Sequence, residues 1–270
     1  MTASPRAFEL VRHPVDLKIR SVKLAAREWL AEDYVRIRLE GEDLRDFSLP
    51  GQDDHLRIFP GQERVEAFDV MRSLPSREYT PLYWGSTDHG GWLDLEFAVH
   101  GQEGLAARWA AGASLGAPAV LGGPRGSLQV QGHPDGWLLA GDETAIPQIR
   151  RYAALIAEGA PATVLIEVPD AAHEVTIDTV APVEYVHRGE APAGSALETR
   201  LDAVTADERP EGDVFGFVAA EQSIVRPARA LLANRWRIDS DRFVVKGYWK
   251  RGEAEYHAPH IAPPTEREAR

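Results

Sequence analysis

The chain has 270 residues, 44% of them hydrophobic and 27% charged, and a formal net charge of −12. This composition is typical of a globular protein large enough for two domains, and the negative charge disfavours nonspecific nucleic-acid binding. Cysteine is absent, which excludes disulfides, thiolate nucleophiles and protein-ligated iron–sulfur clusters, so redox chemistry would need a bound cofactor. No apolar run is long enough to span a bilayer and residues 1–16 lack a signal-like apolar core, so we expect a cytoplasmic protein without membrane contact.

The first half of the chain predicts antiparallel strands. Apolar and polar residues alternate in short runs such as Val35-Arg36-Ile37-Arg38-Leu39 and Leu93-Asp94-Leu95-Glu96-Phe97, with Gly, Pro and Asp between the runs. Period-two alternation is typical of half-buried strands in a sandwich or small barrel. One short helix is expected over residues 105–111. We therefore expect an N-terminal arm over residues 1–16 and an antiparallel β-barrel over residues 17–132.

The second half has a different pattern, which begins after a linker rich in glycine. Short apolar strands alternate there with helical stripes. This order predicts a mostly parallel sheet covered by helices, with right-handed crossovers. An α/β domain is expected over residues 133–252, followed by a tail over 253–270. The predicted strands cover residues 137–140, 162–168, 183–187, 214–218 and 243–248.

An acidic turn follows the first strand of this α/β domain. The strand ends in Gly141-Asp142-Glu143-Thr144, and no Gly-x-Gly-x-x-Gly motif is present. Open α/β sheets bind ligands beyond the carboxyl ends of their strands, so a cofactor is expected near this turn. Pyrophosphate on a helix N-terminus is disfavoured by nearby carboxylates, so an ordinary Rossmann dinucleotide site is not expected. From spacing alone, the simpler interpretation is a helix capped by Thr144.

A second motif, Ser76-Arg77-Glu78-Tyr79-Thr80-Pro81, places a cation and an aromatic ring on one face of a strand. A guanidinium can bind phosphate, and an aromatic ring can lie against another flat ring. Exposed Arg-x-Tyr pairs are common, so this motif alone does not identify a site.

Together these segments and four others resemble the siderophore-interacting proteins, which are flavin-dependent ferric-siderophore reductases of the ferredoxin-reductase-like superfamily. The resemblance extends from about residue 17 to 252, and the order and spacing of its motifs are specific. It implies an N-terminal FAD-binding antiparallel β-barrel, a C-terminal α/β parallel-sheet domain for NADH or NADPH, and one flavin in the cleft between them. The segments are Arg77-Glu78-Tyr79-Thr80, Glu96-Phe97-Ala98-Val99-His100-Gly101, Gly104-Leu105-Ala106-Ala107-Arg108-Trp109-Ala110, Gly123-Pro124-Arg125-Gly126, Leu138-Leu139-Ala140-Gly141-Asp142-Glu143-Thr144-Ala145-Ile146-Pro147 and Val245-Lys246-Gly247-Tyr248-Trp249-Lys250-Arg251-Gly252.

The resemblance implies roles for individual residues. Arg77, Tyr79 and Thr80 would hold the flavin, and Asp142 and Thr144 would lie close to the flavin and the incoming nicotinamide as the catalytic pair. The FAD phosphates and adenine would be bound by His100, Gly101, Ala106, Ala107 and Trp109. A basic pocket for an anionic ferric siderophore would consist of Arg57, Lys246, Lys250 and Arg251.

The implied reaction is hydride transfer from NAD(P)H to the flavin, then two single-electron transfers to ferric siderophores, which releases Fe(II). No protein metal site is needed, because the siderophore holds the iron. Glu167 would favour a ribose diol and Arg188 a 2′-phosphate, so NADH and NADPH both stay open as donors. A monomer or weak dimer is expected.

One position departs from the family pattern. Many members carry a second arginine two residues after the Tyr-Thr pair, where this chain has Leu82, so a phosphate contact would be missing or supplied elsewhere. Two alternatives remain open. One is a flavin or quinone reductase on the same scaffold, and the other is a non-catalytic siderophore-binding protein.

Overall fold

The computed structural model describes residues 6–99, 104–124, 126–253 and 256. Its fourteen named strands form an antiparallel sheet, a parallel sheet and a two-stranded ribbon. The predicted fold class, an antiparallel half followed by a parallel α/β half, is confirmed. The strands are β1 (Phe8–Pro14), β2 (Ile19–Ala31), β3 (Tyr34–Gly41), β4 (Leu56–Pro60), β5 (Arg77–Tyr79), β6 (Tyr83–Thr87), β7 (Gly90–Ala98), β8 (Pro118–Gly122), β9 (Gly126–Gly132), β10 (Gly136–Asp142), β11 (Ala162–Val168), β12 (Val183–His187), β13 (Val214–Glu221) and β14 (Phe243–Trp249).

The N-terminal domain is a seven-stranded antiparallel sheet in the order β5-β4-β8-β2-β3-β7-β6. The sheet curls into a half-barrel, whose edge strands β5 and β6 follow one another in the chain. Alternate residues of β3, such as Val35, Ile37 and Leu39, are fully buried in the barrel core. The period-two pattern of the sequence therefore reports correctly which face of each strand is buried.

The C-terminal domain is a five-stranded parallel sheet in the order β12-β11-β10-β13-β14. The central strands β10 and β13 are buried along their whole length, as expected for a parallel sheet covered on both faces. The chain builds outward from β10 to β12 and returns to β13 on the other side of β10. The order therefore reverses between β10 and β13, and this switch point is where open α/β sheets bind ligands.

Five α-helices connect and cover these strands within the described part of the chain. No described helix is long and apolar enough to cross a membrane. The helices are α1 (Phe68–Ser73), α2 (Leu105–Gly112), α3 (Ile146–Ala153), α4 (Ser195–Ala203) and α5 (Val225–Arg229), and α5 continues into a π-helical turn over Ala230–Arg235.

Strand β1 joins the two domains, although it lies in the segment expected to be an arm. It pairs with β9 along its whole length, and Phe8 packs edge-on against Phe215 of the parallel sheet at 6.0 Å. Phe8, Tyr34 and Leu128 belong to the same buried cluster as residues of β10, β13 and α3. One hydrophobic core is therefore shared by both domains.

A buried polar network also crosses the domain boundary. The Glu96 side chain of β7 is 0% exposed, and it accepts hydrogen bonds from the Tyr34 hydroxyl at 2.9 Å and from Arg36 at 2.6 Å. It also accepts one from Arg150 of α3 at 3.2 Å, while Arg150 donates to the Thr176 carbonyl at 2.7 Å. Buried charges are tolerated when they are paired and hydrogen-bonded in this way, so the network fixes α3 against the half-barrel.

Candidate active site

Polar contacts between the domains converge where α3 and β14 face the half-barrel. Lys246 of β14 donates to Asp53 at 2.6 Å, and Gln148 of α3 donates to the carbonyl oxygen of Gln52. Gln148 also accepts from the Thr80 hydroxyl at 3.4 Å. These contacts bring the Arg77–Tyr79 strand and its neighbour Thr80 beside the first helix of the parallel domain. The region of these interdomain contacts is called the cleft below.

The Arg-x-Tyr motif forms β5, which pairs with β4 at one edge of the described sheet. Arg77 and Tyr79 are partly buried on either side of an exposed Glu78, which is the alternation expected of a strand. The Tyr79 ring lies 4.1 Å from that of Phe97. Burial raises the pKa of the Tyr79 hydroxyl, so it is a neutral hydrogen-bond donor at physiological pH.

Helix α2 presents backbone amides at its N-terminus. The amide of Arg108 donates to the Gly104 carbonyl at 3.1 Å, so the preceding amides of the first turn lie ahead of the intrahelical ladder. That turn contains no acidic residue, and Gly104 has a φ of 103°, a left-handed conformation suited to glycine. The Ala106 and Ala107 side chains are buried in the barrel core, so only their backbone is available to a ligand. Trp109 packs partly against the same core.

A flavin dinucleotide fits this donor set. Arg77 supplies a cation for phosphate, Tyr79 supplies a flat ring, and the first turn of α2 supplies N–H groups that suit a pyrophosphate. His100 and Gly101, expected to belong to the same site, lie outside the described residues.

Asp142 ends β10 at the switch point and accepts hydrogen bonds from three other residues. One carboxylate oxygen accepts from the Thr144 amide at 3.0 Å and from its hydroxyl. The other accepts from the Glu221 amide at 3.0 Å and from the Trp249 indole N–H at 2.8 Å. Burial, and then the neighbouring Glu143 carboxylate, raises the pKa of Asp142 to about 7. Asp142 and Thr144 are thus in direct contact, and Asp142 can exchange a proton near neutral pH.

The two residues expected to read the donor ribose are occupied by other groups. Glu167 near the end of β11 accepts from the amides of Gly194 and Leu197, at 2.6 and 2.7 Å. Arg188 binds Glu143 through both terminal nitrogens, at 3.0 and 2.6 Å. Glu167 therefore points to the start of α4, and Arg188 neutralises an acid of the Asp142 turn.

The four cations of the expected substrate pocket all have partners. Arg57 donates to Ser76 at 3.1 Å and to Glu78 at 3.0 Å. Lys246 pairs with Asp53 in the cleft, whereas Lys250 pairs with Glu253 on an exposed turn. The Arg251 amide donates to Glu221, and its side chain to the Ala193 carbonyl at 3.4 Å. An anionic ligand here would compete with carboxylates for the three paired side chains.

Tyr248 lies between these groups. Burial raises the pKa of its hydroxyl well above the usual value, and the nearby carboxylates of Asp53, Asp142 and Glu78 raise it further. Those acids come from the barrel loop, from β10 and from β5, so the Tyr248 ring lies where the two domains meet. The phenol therefore stays protonated in the cleft.

Leu82 is buried beside two arginines. It lines an open surface depression of about 440 Å³ with Arg36, Arg38 and aromatic side chains of β6 and β7. Arg38 pairs with Asp94 through two hydrogen bonds of 2.8 Å, and Arg36 pairs with Glu96. Other guanidinium groups therefore lie near the position where the family often has an arginine, but carboxylates already bind them.

Two family models match adjacent parts of the chain and together span both domains. The model described as the siderophore-interacting FAD-binding domain matches residues 23–128, and the model described as siderophore-interacting protein matches residues 134–252. The chain belongs to the siderophore-interacting protein family. The resemblance inferred from the motifs is thereby confirmed, and so is FAD as the cofactor of the family's N-terminal domain.

Relatives of this siderophore-interacting protein are similar over almost their full length. Ferric vibriobactin reductase ViuB of Vibrio cholerae is 27% identical over 256 residues, covering 88% of this chain and 92% of that protein. The NADPH-dependent ferric-chelate reductase of Escherichia coli is 28% identical, covering 92% and 99%. A siderophore utilization protein from T. fusca has a crystal structure with a TM-score of 0.81 and 29% identity, covering 92% of this chain and 99% of that one. Phthalate dioxygenase reductase shares the fold, with a TM-score of 0.57 and 11% identity over 85% of this chain and 68% of that one.

Three residues at the cleft of this siderophore-interacting protein were not singled out from the sequence. Gln148 contacts the flavin motif, Trp249 binds Asp142, and Glu221 lies next to Asp142 at the end of β13. A signal for Glu221 exists, because Glu221-Gln222-Ser223 repeats the acid-x-hydroxyl spacing of Asp142-Glu143-Thr144 at the end of another strand. Gln148 has no such signal, since its role depends on which loop the helix faces.

Proposed function

We propose that this protein is an NAD(P)H-dependent flavoenzyme that reduces ferric siderophores and so releases Fe(II). The observation that carries the proposal is the contact between the flavin motif and the carboxyl edge of the parallel sheet, through Thr80 and Gln148. It brings the expected flavin site next to the switch point of the nucleotide domain. Two relatives that match over most of their length are named as ferric reductases, which supports the same activity here.

The overall reaction oxidises one NAD(P)H to NAD(P)+ with release of one proton, and reduces two Fe(III) to two Fe(II). FAD, when bound, accepts electrons as a pair and passes them on singly. Fe(II) binds hard anionic oxygen ligands less strongly than Fe(III), because its charge is lower, so reduction loosens the chelate. The protein itself needs to bind and orient the cofactor and the substrates and to exclude water. It needs no metal site of its own.

The residues of this chain would divide that work. Arg77 and the first-turn amides of α2 would hold the FAD phosphates, and Tyr79 would pack against the flavin. Thr80, which is hydrogen-bonded to Gln148 of α3, would fix the position of the flavin relative to that helix. Asp142, whose pKa is raised to about 7, would hold or release a proton beside the reacting centre, with Thr144 orienting its carboxylate.

We place the iron chelate over the same cleft and the reaction in the cytoplasm, with the protein as a monomer or weak dimer. Lys246, Arg57, Lys250 and Arg251 would attract an anionic chelate locally despite the net charge of −12. Lys246 supports this placement most directly, because it is held by Asp53 at the cleft itself.

Anaerobic titration tests the proposal. Purified protein loaded with FAD is mixed with NADH or NADPH while the flavin absorbance is followed, and a ferric catecholate is then added with a colorimetric Fe(II) trap. We expect bleaching by the nucleotide, recovery of colour on adding the chelate, and two Fe(II) per nucleotide oxidised. A flavin that is bleached but transfers no electrons to any ferric chelate, while reducing quinones, would assign the protein to the quinone reductases instead.

Lys250→Ala tests the substrate pocket. We expect the KM for an anionic ferric chelate to rise about tenfold, as for the loss of one charge-assisted contact, with the KM for a neutral acceptor unchanged. Lys23→Ala removes an exposed lysine on β2 and serves as the matched control. Equal effects of Lys250→Ala on anionic and neutral acceptors would remove Lys250 from the pocket.

A further inference from the structure

The carboxyl edge of the parallel sheet carries four helical segments that follow a strand, among the residues that the structure describes. They are the 3₁₀ turn Glu143–Ala145 leading into α3, the 3₁₀ turn Ala171–His173, helix α4 and the 3₁₀ turn Gln222–Ile224 leading into α5. In such sheets the amides of a helix start at the switch point commonly bind the pyrophosphate of a dinucleotide. Here each start is already bound by an acidic side chain of the same domain.

Two of these acids lie at the switch point, where a dinucleotide pyrophosphate would be expected to bind. Asp142 binds the amide of Thr144, and Glu221 binds the amide of Ser223 at 2.6 Å. They lie at the ends of the neighbouring strands β10 and β13, and the Glu221 amide donates to Asp142. A pyrophosphate at this crevice would meet the carboxyl groups of Asp142 and Glu221, which already bind the Thr144 and Ser223 amides.

Acidic side chains also bind backbone amides at the ends of β11 and β12, towards the outer side of the sheet. Glu167 binds two amides of the α4 start, and Asp170 binds the Ala172 amide at 2.9 Å. Arg188, which faces this region, is bound by Glu143 through two hydrogen bonds and lies 3.7 Å from Glu167. Its guanidinium is therefore balanced by two acids where the adenosine half of a dinucleotide would extend.

We propose that this domain recognises its reduced nicotinamide donor through the nicotinamide mononucleotide half, and that the adenosine monophosphate half contributes little to binding. This inference rests on the proposed function, since it specifies the donor of the same site. It extends beyond the acidity of one turn, because a carboxylate binds at least one amide at each of the four described helical starts. Reduced nicotinamide mononucleotide, which lacks the adenosine half, should therefore serve as a donor.

Two measurements on the FAD-loaded protein test the inference. In anaerobic flavin reduction, we expect kcat/KM for reduced nicotinamide mononucleotide to lie within about tenfold of that for NADH. In calorimetric titrations, we expect NMN to bind within about tenfold of NAD+, and ADP-ribose to bind more than about tenfold more weakly than NMN. A larger advantage of NADH, or binding of ADP-ribose comparable to that of NAD+, would overturn the inference.

Charge removal gives an independent check. Glu221→Gln keeps an oxygen acceptor for the Ser223 amide but removes one charge at the switch point, and we expect ADP-ribose affinity to rise several-fold. Glu208→Gln is the matched control, because Glu208 binds the Thr205 amide after the end of α4, at the opposite edge of the sheet. An equal response of both variants, or none in either, would contradict the proposed role of the edge.

The outcomes separate this inference from the proposed function. If NADH reduces the flavin and the mononucleotide does not, the donor inference fails and the reductase assignment stands. If no nicotinamide reduces the flavin, the reductase assignment fails, and the ADP-ribose titration still decides whether the edge excludes a pyrophosphate.

Discussion

Asp142 combines full burial with four hydrogen-bond donors, and these two influences oppose each other. Burial disfavours the charged form, whereas the amide, hydroxyl and indole donors favour it. Burial is the larger influence and raises the pKa of Asp142 to about 7 from an ordinary value of 3.8. The residue is therefore placed to respond to pH within the physiological range.

This pKa has a consequence for stability. Between pH about 4 and about 7 the folded protein retains a proton on Asp142 that the unfolded chain has lost, so raising the pH through this range favours unfolding. We expect this group to lower the free energy of unfolding by up to about 1.4 kcal/mol per pH unit, with the slope ending above pH about 7. Urea denaturation at several pH values measures it.

Asp142→Asn should remove that component, so its stability should vary less steeply between pH about 5 and about 7 than that of the wild type. Asp178→Asn, at an exposed position, should keep the wild-type slope. If Asp142→Asn keeps the full slope, another group is responsible.

Arg77 makes a second prediction at the scale of one residue. Arg77→Ala removes the cation assigned to the flavin phosphates, and we expect FAD to bind roughly ten- to a hundred-fold more weakly, from about 1.5–3 kcal/mol for a charge-assisted contact. Flavin retained after gel filtration and fluorescence titration of released FAD measure the loss. Arg72→Ala, on the exposed face of α1, is the control. Unchanged retention in Arg77→Ala would refute its role.

Single residues were predictable from the sequence where local geometry decides them. The shared face of Arg77 and Tyr79 follows from strand spacing. The expectation that Thr144 caps the helix was wrong, because Asp142 is the capping residue and its carboxylate accepts from the Thr144 amide and hydroxyl. The direction of Glu167 did not follow, because its partners lie in α4, 27 and 30 residues further along the chain. Contacts of this kind depend on the three-dimensional crossover and leave no local pattern.

Helix α3 is the element that connects both halves of the site. It carries Gln148, which contacts the flavin motif, and Arg151, which donates to the backbone of Gly51 and Pro81. Arg150, between them, binds the buried Glu96. The sequence predicted this helix and its apolar stripe. It did not predict that the polar residues of the helix contact the half-barrel, because a charged side chain on a helix is most often solvated.

Arg150→Met should therefore be far more damaging than an average surface change. Removing one partner leaves Glu96 buried with less compensation, and we expect a loss of about 3 kcal/mol in the free energy of unfolding. Arg64→Met is the control, because the Arg64–Glu66 pair is 77% exposed on both sides and should contribute less than about 1 kcal/mol. Similar losses in both variants would show that Arg150 does not fix α3 in place.

At the scale of the whole molecule, one of the hydrophobic clusters crosses the domain boundary, beside clusters that belong to one domain alone. The sequence correctly predicted two halves of different architecture, because alternation with period two changes to strand–helix alternation near residue 133. It did not predict β1, since Phe8–Pro14 mixes charges with apolar residues and its partner β9 lies more than a hundred residues later. Long-range pairing of this kind leaves little trace in a single sequence.

A shared core predicts joint unfolding. We expect a single calorimetric transition, and Phe8→Ala, which empties a site that is 2% exposed, should lower the free energy of unfolding by about 3–5 kcal/mol. Phe68→Ala is the control because that ring is 39% exposed, and it should change stability by less than about 1 kcal/mol. Two separate transitions would contradict the shared core.

The ribbon of β1 and β9 bears on how such proteins can be recombined. A chimera joined at the linker near residue 133 would take the half-barrel, with Phe8 and Leu128, from one parent. The residues of the parallel domain that pack against them would come from the other parent. Its seam would run through tightly packed aromatic rings instead of a hydrated surface. Exchanging the nucleotide-binding half between relatives should therefore succeed only when β1 and its partner strand β9 are exchanged together with that half.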